Sequence, residues 1–162
     1  MIFEGISSTK CKMETYTQEY ILNDTIVFNP KFLERGKIKH TIIQMITDKY
    51  KNGIFKNEGF LFLVKDDVQI LSDIITPVGQ IVLNVQFRAM MYKPQVGQTF
   101  DCQIFPGKFY CEIKGPVSPL IVCIPKDSKL SGLKKIKLTG VKKDNISLCF
   151  GTVIDVINEW IL

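Results

Sequence analysis

The chain has 162 residues, 46% hydrophobic and 23% charged, with a net charge of +5 from 21 basic and 16 acidic side chains. That length allows one domain or two small ones, and this balance of apolar and charged residues excludes wholesale disorder. Apolar runs such as Phe60 to Val64 are soon broken by charge, well short of the roughly 20 apolar residues that cross a bilayer, so no membrane span is expected.

The opening stretch MIFEGISSTKCKMET lacks the apolar core of a secretory signal. Five cysteines, Cys11, Cys102, Cys111, Cys123 and Cys149, never form a C-x-x-C, and the chain has one histidine. A zinc site is therefore not expected, and the cysteines read as reduced, mostly buried thiols. The mild positive charge tolerates a polyanionic partner without requiring one.

Residues 1–14 show no periodicity and read as a loose extension. From Tyr16 to Phe28, Tyr20, Leu22, Ile26 and Phe28 share one parity, which predicts a half-buried strand. Asn29-Pro30 stops it and opens a helix expected to run to about Lys51, with Ile38, Ile42, Met45, Ile46 and Tyr50 as its apolar stripe. His40 falls off that stripe and reads as a surface residue. Asn52-Gly53 ends the helix. Strands are expected over 59–65 and 68–75, with Asp66-Asp67 as the turn between them. A long alternating strand follows over 80–92. The first unit, 15–93, thus reads β-α-β-β-β, one helix on a small, mostly antiparallel sheet.

Lys93-Pro94 marks a boundary. Over 94–162, short strands are expected at 99–105, 109–114, 120–124, 135–141 and 147–156, separated by Pro106-Gly107, Gly115-Pro116 and other turn residues. Several short strands in so few residues suggest a small barrel, and a five-stranded OB-fold fits the size. The expected class is α+β: a β-α-β-β-β domain followed by an OB-fold barrel.

Little here suits catalysis. One histidine removes most histidine-dependent schemes, and no phosphate-binding loop or dinucleotide fingerprint is present. Asp66-Asp67 could pass for a metal-binding pair, but no second acidic cluster completes a two-metal site. Neither cofactor nor metal is expected, and the sequence argues against an enzyme.

The segment from Ile74 to Thr99, IITPVGQIVLNVQFRAMMYKPQVGQT, resembles the joint between the two domains of the seventh-largest subunit of eukaryotic RNA polymerase II. It is similar also to that subunit's counterparts in polymerases I and III and to the archaeal stalk subunit. The family pattern is a P-x-G turn, a strand with F/L-N-V-x-F/Y-x-A, then K-P-x-x-G-E. Pro77, Gly79, Asn84, Val85, Phe87, Arg88, Ala89, Lys93, Pro94 and Gly97 occupy its positions. Upstream, the run from Leu22 to Leu33 and the Gly53 and Gly59-Phe60-Leu61 positions match the family's opening elements, so the resemblance covers residues 16–105. The extension before residue 15 and the shortened barrel around Ser118-Pro119-Leu120 depart from the pattern. With the Lys/Ile/Asn-rich composition, they suggest a divergent copy from a large cytoplasmic DNA virus.

The resemblance implies a non-catalytic stalk subunit of a DNA-dependent RNA polymerase. Its docking tip would be Ile75, Thr76, Pro77, Val78, Gly79 and Gln80, wedged against the largest subunits and a small subunit at the clamp base. The domain joint would comprise Asn84, Phe87, Arg88, Lys93, Pro94 and Gly97. Family members usually pair there with a second, helical stalk subunit, while some viral systems manage without one. The barrel would contact nascent single-stranded RNA, with Phe105, Lys108, Phe109, Tyr110, Lys134, Lys135, Lys137, Lys142 and Lys143 as candidates. Residues 94–162 hold nine lysines against six acidic residues, a net of +3. The location expected is intracellular: host cytoplasm and virion for a viral copy, nucleus for a cellular eukaryotic one. A free-standing OB-fold RNA-binding or RNA-processing protein is the alternative, and a virion structural protein a third reading.

Overall fold

A computed structural model of the chain describes residues 13–30, 37–125 and 132–154. These form a 3-10 turn (Met13–Tyr16), β1 (Gln18–Phe28), α1 (Ile38–Lys49), β2 (Ile54–Phe55), β3 (Gly59–Ile75), β4 (Ile81–Tyr92), β5 (Thr99–Ile104), β6 (Tyr110–Ile113), β7 (Leu120–Cys123), β8 (Gly132–Val141) and β9 (Leu148–Ile154). The fold is α+β and mostly strand. No helix among the described residues is long and apolar enough to cross a membrane.

Strands β1 to β4 make a four-stranded antiparallel sheet of order β1-β4-β3-β2. Alternation in β1 and β4 turns Leu22, Ile26 and Phe28, with Leu83, Val85, Phe87 and Ala89, toward a core that also takes Ile42 and Ile46 of α1. Of the predicted stripe, Ile42 and Ile46 are buried and Met45 and Tyr50 pack against the core, but Ile38 at the helix start is exposed. The expected start at Pro30 runs through residues 31–36, outside the described ones, and the described helix begins after Lys37.

Two expectations need correction. Asp66-Asp67 is not a turn, because β3 runs unbroken from Gly59 to Ile75 and absorbs the extra residues as a bulge between Val64 and Val68. A bulge leaves the added residues unpaired while the ladder resumes in register, so a polar pair imitates a hairpin. The strand count of the first unit survives only because the two-residue β2, not anticipated from sequence, pairs with the start of β3. Secondly, Met13, assigned to the loose extension, is 0% exposed and belongs to the barrel's core. Glu14 stands in the same 3-10 turn, and residues 1–12 of that extension lie outside the described ones.

Strands β5 to β9 form a five-stranded sheet of order β5-β8-β9-β7-β6, with β7 and β9 parallel and the other pairs antiparallel. Its end strands β5 and β6 lie against each other, so the sheet is nearly closed and barrel-like, compatible with an OB-like fold. Its core holds Phe100, Cys102, Ile104, Cys111, Ile113, Leu120, Val122, Ile136, Leu138 and Cys149. Burial pushes the Cys149 thiol up to about 11, as suits a buried, unreactive sulfur.

One core position of the first sheet is charged. Asp24, 5% exposed, accepts hydrogen bonds from the Tyr50 hydroxyl at 2.6 Å, Lys49 Nζ at 3.2 Å and the Thr25 N–H at 2.8 Å, with Lys56 Nζ at 3.4 Å. Burial alone would raise its pKa, but the Tyr50, Thr25 and Lys49 contacts outweigh burial and hold the carboxyl below its ordinary range. The unfolded chain therefore takes up this proton at higher pH than the folded one. The stabilisation is complete above the unfolded pKa of roughly 4 and is lost as pH falls through the lower folded value. Asp24→Asn is expected to cost about 1–3 kcal/mol at neutral pH in urea unfolding. The gap to the parent chain should close as the titration is repeated below pH ~4.

Candidate functional site

The β3–β4 hairpin ends in a projecting tip. After the Ile75–Ile81 pair, the Thr76 N–H donates to the Gln80 carbonyl at 2.8 Å, leaving Pro77, Val78 and Gly79 as a three-residue loop. The Gly79 N–H closes on the Thr76 carbonyl at 2.9 Å, and the Gln80 N–H on Thr76 Oγ1 at 3.1 Å. Gly79 has φ +85, which a β-carbon would strain, while proline fixes its own φ; together they hold the loop in one shape. Val78 is 80% and Ile75 73% exposed. Ile75 has the parity of Phe28 and Ile81 on the helix side, while the opposite face carries the apolar cross-strand row Val27, Val82 and Ile74.

The connection between the sheets is ordered by one side chain that the sequence reading did not single out. Gln98 Oε1 accepts from the Tyr92 hydroxyl at 2.6 Å and the Gln95 N–H at 3.0 Å, and its Nε2 donates to the Lys93 carbonyl at 3.1 Å. Lys93 Nζ lies 4.5 Å from the centroid of the Tyr20 ring, Pro94 is buried, and the Gly97 N–H donates to Leu138 of β8 at 2.9 Å. Of the expected joint residues, then, Lys93, Pro94 and Gly97 stand at the connection. The other three do not. Phe87 is buried under α1, edge-on to Phe55 at 6.0 Å. Asn84 sits on the opposite face, bonded to Thr25 Oγ1 at 2.8 Å and Ser72 Oγ at 2.7 Å. Arg88 shares that face and bridges Glu19 at 3.3 Å and Asp67 at 3.1 Å.

The sheets meet around aromatic rings. Tyr92 packs on Phe60 and Phe100 with centroids 6.0 and 6.1 Å apart, and Tyr16 on Phe100 at 5.2 Å. The Tyr16 hydroxyl donates to the Thr99 carbonyl at 3.1 Å and accepts the Thr99 N–H at 2.9 Å.

On the barrel's outer surface, the register sets Tyr110 of β6 beside Cys123 of β7 and Phe150 of β9 in one row. The next row along holds Glu112, Ile121 and Leu148. The β5–β6 turn, with exposed Phe105, Lys108 and Phe109, borders this face at one end. The β8–β9 loop, with exposed Lys142 and Lys143, borders it at the other. Six of the nine expected RNA candidates thus converge on one face. Lys134, Lys135 and Lys137 do not, since β8 is separated from β7 by β9 and from β6 by β5. Lys135 pairs with Asp101 at 3.5 Å, Lys137 stands outward between Thr99 and Thr152, and Lys134 has the inward parity of the barrel wall.

Phe150, 48% exposed, is the aromatic that sequence reasoning missed. The sequence shows only that it alternates with Cys149 and Gly151; which of the two sets faces inward is fixed by packing. In β9 a β-carbon on Gly151 would meet Ile136 Cγ2 and Val122 Cγ1 at 2.8 Å, so the glycine marks the inward position. Phe150, one residue away, must point out with Thr152. Among the described residues, no cluster of three or more His, Cys, Asp or Glu could hold a metal ion.

No protein-family model matches this chain. It is 34% identical over 146 residues to the "Uncharacterized protein 053L" of Invertebrate iridescent virus 3, an alignment covering 88% of this chain and 100% of that protein. The chain belongs to the same family as that iridescent virus protein.

Proposed function

We propose that the chain is a non-catalytic stalk subunit of a virus-encoded DNA-dependent RNA polymerase, docking on the core through its hairpin tip and touching nascent RNA through the barrel. The observation that carries this reading is a combination in one chain. A helix-backed sheet ends in a rigid apolar hairpin, and the K-P-x-x-G connection joins it to a barrel with exposed aromatics and two bordering lysine-bearing loops. The strand order, with the third and fifth barrel strands parallel, is what supports the OB-fold assignment. In OB-folds the second and third strands, with the loops joining first to second and fourth to fifth, form the oligonucleotide face. Those are β6, β7 and the loops around 105–109 and 142–147.

A viral relative along the whole of its length fits an origin in a large DNA virus, and with it a site of action in the host cytoplasm and virion. Size fractionation of extract from the native source tests the assignment. The stalk reading expects the chain in a complex many times its own mass, together with promoter-dependent or DNA-templated RNA synthesis. Migration at the monomer position would favour the free-standing OB-fold RNA-binding protein.

For the barrel face, Phe150→Ala and Tyr110→Ala are each expected to weaken single-stranded RNA binding about tenfold, since base–aromatic stacking contributes about 1–3 kcal/mol per base. Both rings are exposed, so urea midpoints should barely move. Fluorescence anisotropy with a labelled oligouridylate reads the loss. Equal affinity in both variants would remove this face from the account.

A further inference from the structure

The β2–β3 turn reaches across to the barrel. Lys56 and Asn57 both hold left-handed backbone, with φ 47 and 55, closed by the Glu58 N–H donating to the Phe55 carbonyl at 2.8 Å. Asparagine tolerates that conformation, whereas lysine does so at a cost, and strain of this kind persists only where the surroundings hold it in place. Here the two side chains pull in opposite directions. Lys56 Nζ donates to the Asn23 carbonyl at 2.9 Å in the first sheet. The Asn57 amide turns to the barrel, where Nδ2 donates to the Lys143 carbonyl at 2.9 Å and Oδ1 accepts the Ile146 N–H at 3.0 Å.

Those two contacts bracket the β8–β9 loop. Within it the Asn145 N–H donates to the Lys142 carbonyl at 3.3 Å, and the Leu148 N–H to the Asn145 carbonyl at 3.1 Å. Among the described residues, Asn57 ties this loop to the first sheet at two points, the Lys143 carbonyl and the buried Ile146 anchor. The loop's own bonds close its turn, and the Asn57 contacts fix how that six-residue turn and its two adjacent ammonium groups sit against the first sheet. Any freedom left there would have to be lost on contact with a ligand, which costs affinity.

We infer that Asn57 is a positioning residue: its amide holds the β8–β9 loop so that Lys142 and Lys143 stand at the edge of the aromatic face, ready to meet the phosphates of a single-stranded RNA. This rests on the RNA reading above and extends it, because the lysines are then set by the docking sheet and not by the barrel alone. Contact with RNA and the state of the first sheet become coupled through one side chain.

The test is a mutant cycle in the full chain with a fluorescein-labelled oligouridylate. Asn57→Gly is the main variant, because glycine keeps φ near +55 without strain while removing both hydrogen bonds. Removing both lysines (Lys142→Ala with Lys143→Ala) should weaken binding about tenfold and flatten the salt dependence. Asn57→Gly should weaken it about threefold, and the triple variant should be no worse than the lysine pair, since the glycine acts through the lysines. Asn57→Asp, which keeps the acceptor for Ile146 but sets a carboxylate oxygen against the Lys143 carbonyl, should resemble Asn57→Gly. Amide hydrogen exchange at Ile146 should accelerate in Asn57→Gly with little change in the urea midpoint. If the parent chain binds RNA and Asn57→Gly binds it equally well, or its loss adds in full to that of the lysine pair, the positioning role is overturned and the RNA reading stands. If the parent chain binds no RNA, the RNA reading falls and this inference falls with it.

Discussion

On the proposed stalk reading, replacing Ile75 and Val78 together with aspartate is expected to release the chain from a polymerase core while leaving its fold intact. Both side chains project from a hairpin whose shape is set by Pro77, Gly79 and the Thr76–Gln80 hydrogen bonds. A loop already rigid before docking loses little entropy on contact, so an apolar pair at its end can act as a hot spot. Hot spots contribute at least about 2 kcal/mol each, so the double variant should bind at least about a thousandfold more weakly. The cost in the free chain should be small, because substitutions at exposed sites usually stay within about 0.5 kcal/mol. Gly79→Ala offers a subtler version, since it strains the loop at φ +85 without adding charge. Retention of the Ile75/Val78 double variant on the core at parental stoichiometry would mean that the tip is an ordinary hairpin end.

The second large effect concerns Tyr92, where the two sheets meet. Its ring is fully buried among Tyr16, Phe60 and Phe100, and its hydroxyl donates to Gln98, the side chain that also fixes Lys93 and Gln95. Tyr92→Ala is expected to cost about 3–5 kcal/mol, the usual range for emptying a buried aromatic site. Tyr92→Phe should cost about 1 kcal/mol, since it removes one hydrogen bond and keeps the packing. Urea unfolding followed by both fluorescence and circular dichroism reads the difference. A single transition shared by both probes is expected, because the ring belongs to the core that joins Met13 and Phe60 to the barrel. Two separate transitions, with Tyr92→Ala shifting only one, would show that the sheets fold independently.

Much of this architecture is legible in the sequence, for definite reasons. β4, β5, β6 and β7 alternate between turn residues, so period and punctuation place their ends to within about a residue, whereas β8 starts at Gly132, three residues before the expected 135. The tip is legible because Pro77 and Gly79 have strong local meanings. What escapes is what local pattern cannot carry. β2 is two residues long and has no period to detect. Asp66-Asp67 carries turn chemistry into a bulge, and only the partner strand reveals that β3 continues. Asp24 looks like a polar residue within β1, yet it points inward because Tyr50, Lys49 and Lys56 are waiting there. Gln98 and Asn57 act through contacts with backbone groups far along the chain or across the connection, and nothing in their neighbours announces them.

The candidate RNA face shows the same division. Composition around 105–110 and 142–143 suggests a basic, aromatic surface, but the lysines of β8 have the same composition and stand elsewhere on the barrel. Strand order, not residue type, separates them. Phe150 joins the face for the converse reason, since its neighbours in sequence are core residues and its neighbours in space are Tyr110 and Cys123.

The most direct test of the stalk assignment is an affinity pull-down of the tagged chain from its native source, with every co-purifying chain identified by mass spectrometry. The account predicts recovery of the two largest polymerase subunits, and their loss when Pro77 to Gln80 is replaced by a flexible linker. Recovery of the bait alone, or of RNA without polymerase subunits, would contradict it.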